Sequence, residues 1–163
     1  MENLYQRKRN RLEGNLYRQP GAYFITICTQ NRKNVFWNQL TTKEGEPLPL
    51  NQTGRIAESE ILKIGQNGIS TVRVEKFVVM PNHVHLLFVV KSTSEHACPD
   101  IRYVVRYYKR TVSQRLGYSL WQKGFHDRIV RNEEEYRMIW TYIDENPVKW
   151  NLDRYYVDES PSV

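Results

Sequence analysis

The sequence predicts an α+β fold: one antiparallel sheet in the ferredoxin-like, split βαβ order, with a helix added at the C-terminal side. Three observations predict it. Apolar and β-branched runs at 23–29, 72–80, 83–90 and 125–130 read as strands. Apolar residues at helical spacing fill the intervals after the first and third of these runs. Asn132 followed by Glu135 then opens one more helix beyond the last strand.

Taken in order, the first twenty residues are basic and polar, with Arg7, Arg9, Arg11 and Arg18 and with Tyr5 and Tyr17 interleaved; they read as an arm. The first strand follows at 23–29. Residues 31–51, mostly polar and carrying Gly45, Pro47 and Pro49, read as a long loop. In the helix expected over 53–64, Ile56, Ile61, Leu62 and Ile64 are roughly at helical spacing, and Gly65 stops it. Strands 72–80 and 83–90 flank Pro81-Asn82, a turn signal, and so form a hairpin. Pro99-Asp100 opens a strong helix whose Ile101, Val104, Val105, Tyr108 and Val112 make one apolar stripe, and Gly117 ends it. Its other face holds Arg102, Arg106, Lys109 and Arg110. The last helix runs to about Glu145, where Asn146-Pro147 ends it. The expected division is an arm at 1–20, one domain at 21–150 and a tail at 151–163.

Composition narrows the function classes. A chain of 163 residues with 40% hydrophobic content supports one compact core. Its 24 lysines and arginines against 18 acidic residues give a net charge of +6, which suits a polyanion. Aromatic residues make up 12%, and eleven of them are tyrosines; such rings among basic residues can stack on unpaired bases. Two cysteines, Cys28 and Cys98, make neither a zinc pattern nor a disulfide framework and point to a reducing cytoplasm. No apolar run approaches the roughly 20 residues of a membrane helix, and no secretory h-region is seen, so a soluble, unsecreted protein is expected.

Two local patterns carry chemistry. In Met80-Pro81-Asn82-His83-Val84-His85, the histidines are two apart on a strand and project to one face. Such a pair can bind a metal through one nitrogen each, or can be one core and one exposed histidine. In Tyr142-Ile143-Asp144-Glu145-Asn146-Pro147, Tyr142 and Asn146 stack on one helix face at i and i+4. If that face lies over the histidine strand, Asn146 offers an amide oxygen and Tyr142 a phenol to the same place. The ordinary alternative is a core tyrosine and a helix-ending asparagine.

The run MPNHVHLLF resembles the His-hydrophobe-His signature of the HUH endonucleases. TYIDENPVKWNL resembles the tyrosine helix of the REP-associated tyrosine transposases, single-tyrosine members of that superfamily. GAYFITICTQNRK and WQKGFHDRIVRNEEEY resemble their first strand and the passage from fourth strand to final helix, so the likeness spans roughly residues 7 to 150. The resemblance implies His83 and His85 as metal ligands, Asn146 as a third, and Tyr142 as nucleophile. It implies a divalent cation, Mg²⁺ or Mn²⁺, since neutral N/O donors accept either. The activity expected is cleavage and transfer of single-stranded DNA beside imperfect, REP-like hairpins, through a 5′-phosphotyrosine intermediate. Arg7, Arg9, Arg11, Arg18, Arg102, Arg106, Lys109, Arg110, Arg128 and Arg131 are the expected nucleic-acid contacts. The protein would act in the bacterial cytoplasm at the nucleoid, as monomer or homodimer. Past the NPVK segment the chain departs from the family's tryptophan-proline-serine-like tail and reads DRYYVDESPSV. Two other readings compete: a catalytically inactive binder of structured single strands, and a phosphoesterase that activates water.

Overall fold

A computed structural model describes residues 14–66, 71–92 and 98–159. The order is β1 (Gly21–Cys28), α1 (Gln52–Leu62), β2 (Val72–Val79), β3 (His83–Val90), α2 (Ile101–Leu116), β4 (His126–Val130) and α3 (Glu133–Glu145). The four strands form one sheet in the order β2-β3-β1-β4, each antiparallel to its neighbour. The expected ferredoxin-like order with its added helix is therefore the order observed.

Each helix begins where its capping chemistry dictates. The Asn51 side chain accepts from Gly54 N, Asp100 from Arg102 N, and Asn132 from Glu135 N, at 2.8–2.9 Å. Gly117, at φ 79°, closes α2 in the left-handed conformation that glycine adopts without a Cβ clash. At α3 the capping carboxylate reaches one residue further back than the usual box: Glu135 Oε2 accepts from Arg131 N at 2.8 Å.

The sheet has two buried faces. Val78, His85, Thr26 and His126 stand opposite one another across β2, β3, β1 and β4, so they share a face. Tyr142 of α3 packs against His85 and Phe24 on this face, and Lys76 of β2 pairs with Asp144 and lies 4.6 Å from the Trp140 ring centre. Alternation sends Ile25, Ile27, Leu86 and Phe88 to the other face, where they are fully buried. The expected stripe of α2, Ile101, Val104, Val105, Tyr108 and Val112, is buried throughout, and Tyr108 Oη donates to Ala57 O of α1 at 3.2 Å.

Two irregular stretches contribute more to the core than their sequences suggest. The loop after β1 buries Phe36 and Trp37 completely, and Trp37 Nε1 donates to Val79 O at 2.7 Å. The run Val35-Phe36-Trp37 is too short to show a period, so this anchor is illegible as a pattern. The segment set apart as a tail also packs inward, beside the buried Trp150 that ends the expected domain: Tyr155 is buried, and Asn34 Nδ2 donates to Val157 O and Glu159 O. Of the expected arm, residues 14–18 form a short 3-10 helix whose Tyr17 is buried and donates to Asp127 Oδ2 at 2.5 Å. Among the described residues, no helix is long and apolar enough to cross a membrane.

The backbone of α1 approaches the Phe36 loop so closely that a Cβ on Gly54 would lie 2.3 Å from Phe36 O. Gly54→Ala is expected to destabilise the protein by about 1–3 kcal/mol despite alanine's better helix propensity. Urea unfolding checks this, and an unchanged midpoint would contradict the packing described.

Candidate active site

β3 carries His83 and His85 to one face, as the strand period requires, and both are fully buried. Their Nε2 atoms lie 3.0 Å apart. Each Nδ1 has a partner from another part of the site. Asn82 Oδ1 is 2.8 Å from His83 Nδ1, while Asn82 Nδ2 donates to Tyr155 O at 2.8 Å and to Arg32 O at 3.2 Å. Those two carbonyls fix the amide's orientation, so Asn82 Oδ1 accepts from His83 Nδ1–H and the Nε2 of His83 keeps its lone pair. Thr26 Oγ1 lies 2.8 Å from His85 Nδ1 and, as a hydroxyl, can donate or accept there. The outer partners of the imidazoles are thus Asn82 and Thr26, neither of them marked by the His-x-His spacing.

α3 brings the other two expected residues to the same place. Asn146 extends the last turn in helical conformation, its N–H bonding to Tyr142 O at 3.0 Å, so the phenol and the amide stack. Tyr142 Oη is 3.4 Å from His85 Nε2. The Asn146 side chain is buried; its Oδ1 is a buried acceptor without a hydrogen-bond partner among the described residues. The structure adds a residue the sequence did not single out. Asp153 Oδ2 accepts from Asn146 Nδ2 at 2.5 Å and from Tyr142 Oη at 3.3 Å. Ligand atoms of His83, His85 and Asp153 lie within 4.8 Å of one another, a cluster that could hold a metal ion. The donor chemistry fits a cation: two neutral imidazoles whose Nε2 atoms face each other, a carboxylate, and an orphaned amide oxygen.

Burial sets the protonation of this cluster. It holds the His83 imidazole down, from 6.5 to about 3, with the neighbouring Asn146 amide opposing it and the Arg32 charge adding to it. His85 is pushed well below its ordinary value by burial and then by His83. Burial, and next the Asp153 carboxylate, raise the Tyr142 phenol well above 10. The site therefore holds two neutral histidines and a protonated phenol.

Tyr142 is 39% exposed and stands at a cleft of about 680 Å³ lined also by Phe24, His85, Arg128, Arg131 and Arg154. Arg128 pairs with Glu135, and Arg131 is exposed. The remaining expected contacts fall differently. Arg102 is engaged by Asp100 and lies 4.6 Å from the Tyr17 ring centre, and Arg18 bonds Asp100 at 3.3 Å. Lys109 Nζ donates to Gln122 O and Gly124 O at 2.7 and 2.9 Å, so its ammonium ties α2 to the loop before β4. Arg106 and Arg110 are exposed on α2, away from this cleft's lining. Arg7, Arg9 and Arg11 lie outside the described residues.

No protein-family model matches the chain. An uncharacterised Haemophilus influenzae protein is 28% identical over 177 residues, covering 95% of this chain and 96% of that one. The REP-associated tyrosine transposase of Escherichia coli K12 is 23% identical over 133 residues, covering 82% of this chain and 70% of its own. A solved REP-associated tyrosine transposase bound to a REP hairpin superposes with a TM-score of 0.61 at 21% identity, over 90% of this chain and 74% of that one.

Two measurements probe the site's construction. Asn82→Ala removes three hydrogen bonds and is expected to cost about 3 kcal/mol, near 1 for each; urea unfolding showing a loss under 1 kcal/mol would contradict Asn82's bridging role. The folded state also takes no proton on His83 or His85 where the unfolded chain does. Stability is therefore full above pH 6.5 and falls as pH drops below it, by up to about 1.4 kcal/mol per pH unit for each imidazole. Thermal unfolding at pH 7.5 and 5.5 reads this, and equal midpoints would refute it.

Proposed function

We propose that this chain, which resembles the REP-associated tyrosine transposases in sequence and shares their fold, is a metal-dependent nuclease and strand-transferase of single-stranded DNA. The observation that carries the reading is the half-exposed Tyr142 phenol, 3.4 Å from His85 Nε2, at the cleft and above a buried pair of neutral imidazoles. A purely structural tyrosine has no need of a histidine pair, an orphaned amide oxygen and a carboxylate beneath it.

His83, His85 and Asn146 would hold the divalent cation, with Asp153 as a further donor; Mg²⁺ and Mn²⁺ both suit a mixed N/O set. Bound there, the cation supplies Lewis-acid chemistry: it withdraws charge from a phosphodiester and offsets the Asp153 carboxylate. The chain's own residues do the rest. Asn82 and Thr26 orient the imidazoles, and α3 presents Tyr142 Oη to the cleft. The Oη–phosphorus bond forms as the bond from phosphorus to the 3′-oxygen breaks, leaving a 5′-phosphotyrosine and a free 3′-OH. The phenol proton passes to Asp153 Oδ2, to which Tyr142 already donates, and the leaving 3′-oxygen takes its proton from water in the open cleft. Since the ester conserves the bond energy, a second 3′-OH can attack it, and strands are joined. Arg128 and Arg131 at the cleft suit the substrate's phosphates. An imperfect DNA hairpin is the substrate class, as for the relative solved with a REP hairpin.

The test is a labelled single strand carrying such a hairpin, incubated with Mg²⁺ or Mn²⁺ and resolved on a denaturing gel. The wild type is expected to give a protein–DNA adduct, lost in Tyr142→Phe and reduced at least about a hundredfold in His83→Ala or His85→Ala. An adduct that survives Tyr142→Phe removes the nucleophile. Cleavage without any adduct points to water as the attacking group, and binding without cleavage to an inactive binder.

A further inference from the structure

Two arginines beside the histidine pair have no role in the reading above. Asn31 and Arg32, in the turn leaving β1, both hold left-handed backbone, at φ 57° and 53°. Residues with a side chain adopt that conformation only where their surroundings enforce it, and such positions gather at functional sites. Here the enforcement comes from the site itself: Asn82 Nδ2 donates to Arg32 O, and Arg32 N donates to Thr29 O at 3.1 Å. The Arg32 guanidinium stands 5.4 Å from the Tyr155 ring centre. Arg154, from the C-terminal segment, stands 5.0 Å from the same ring centre. Tyr155 in turn lies 4.7 Å from His83, 6.4 Å from His85 and 6.1 Å from His126, ring centre to ring centre.

Both arginines are exposed, and among the described residues neither has a carboxylate partner. The nearest acid in the chain to Arg154, Asp153, is turned to Tyr142 and Asn146 instead. Two unneutralised charges are thus brought from opposite ends of the chain onto one buried aromatic ring, next to the imidazoles. Arg154 also lines the cleft that Tyr142 opens into. Tyr155 is only 3% exposed, so its ring is a support for the guanidiniums and no stacking platform for a base. Rigid, planar guanidiniums held on a ring match phosphate oxygens in geometry as well as charge.

We propose that Arg32 and Arg154 form an anion clamp that binds a backbone phosphate of the DNA strand next to the phosphate that reacts at Tyr142. The clamp rests on the nucleic-acid reading of the site. It positions the strand through its backbone and reads no base.

The experiment measures binding of a fluorescein-labelled single-stranded DNA hairpin by anisotropy, with Mn²⁺, in a Tyr142→Phe background that cannot react. Arg32→Gln and Arg154→Gln are compared with Arg73→Gln, a surface arginine paired with Glu75. Each clamp variant is expected to bind about tenfold more weakly, and the slope of log K against log salt to fall by about 0.7 for each phosphate no longer neutralised. Arg154→Lys should keep most of the slope and recover only part of the affinity. Thermal unfolding confirms that each variant is folded, and the salt slope is a readout that a merely structural role would not move. Clamp variants that match Arg73→Gln in affinity and slope, while the parent binds, overturn the clamp and leave the nuclease reading standing. A parent that binds no single strand overturns both.

Discussion

The site depends on one buried side-chain amide. Asn82 sits in the turn between β2 and β3, and its three hydrogen bonds join parts of the chain far apart in sequence. Its oxygen sets the tautomer of His83, and its nitrogen holds the carbonyls of Arg32, after β1, and Tyr155, near the C-terminus. A buried amide must find partners for both ends, and the penalty for leaving either bare is large enough to make this arrangement specific. The turn's backbone adds to the same junction: Thr29 N donates to Asn82 O, and Val35 N and Phe36 N donate to Pro81 O. The loop after β1 is thereby fastened to the hairpin, and the C-terminal segment is fastened to both.

That junction explains the electrostatics around it. Two imidazoles sealed from water stay neutral because burial penalises a charge on them, and neutral imidazole is the form that binds a cation. Asp153 brings a carboxylate to the same pocket and, with burial, keeps the phenol of Tyr142 protonated. The guanidiniums of Arg32 and Arg154 stand against the Tyr155 ring instead of pairing with that carboxylate. Negative and positive charges are therefore sorted within one small volume: an anionic donor bonded to the phenol, and cations where a polyanion would lie.

The helix that carries Tyr142 and Asn146 is placed by packing more than by its own termini. Its capping at Asn132 and Glu135 fixes where it starts, and the pairing of Lys76 with Asp144 and the contact of Lys76 with Trp140 fix how it lies over β2. Phe24 and His85 then meet the Tyr142 ring edge-on. The α2 face read as a basic surface is partly structural, because Arg102 and Lys109 spend their donors on Asp100 and on two backbone carbonyls.

Local chemistry was enough to determine the elements and the two residue pairs of the site. Caps at Asp100, Asn132 and Gly117, the period of α2 and the alternation of β3 are properties of neighbouring residues, so they are written in the sequence. For the same reason His83 with His85, and Tyr142 with Asn146, were legible as pairs sharing a face. That the two pairs meet was implied only by resemblance, since no spacing in the chain states which face of a helix lies on which strand. Nothing in the sequence singles out Asp153 or Arg154, and Asn82, Thr26 and Arg32 lie in runs that mark a strand or a turn without marking a role for their side chains. The bonds of Thr26 to His85 and of Asn82 to Arg32 and Tyr155 join residues fifty or more positions apart, and the return of the last segment to the core brings Asp153 to Tyr142 and Asn146, placements that only the tertiary structure decides.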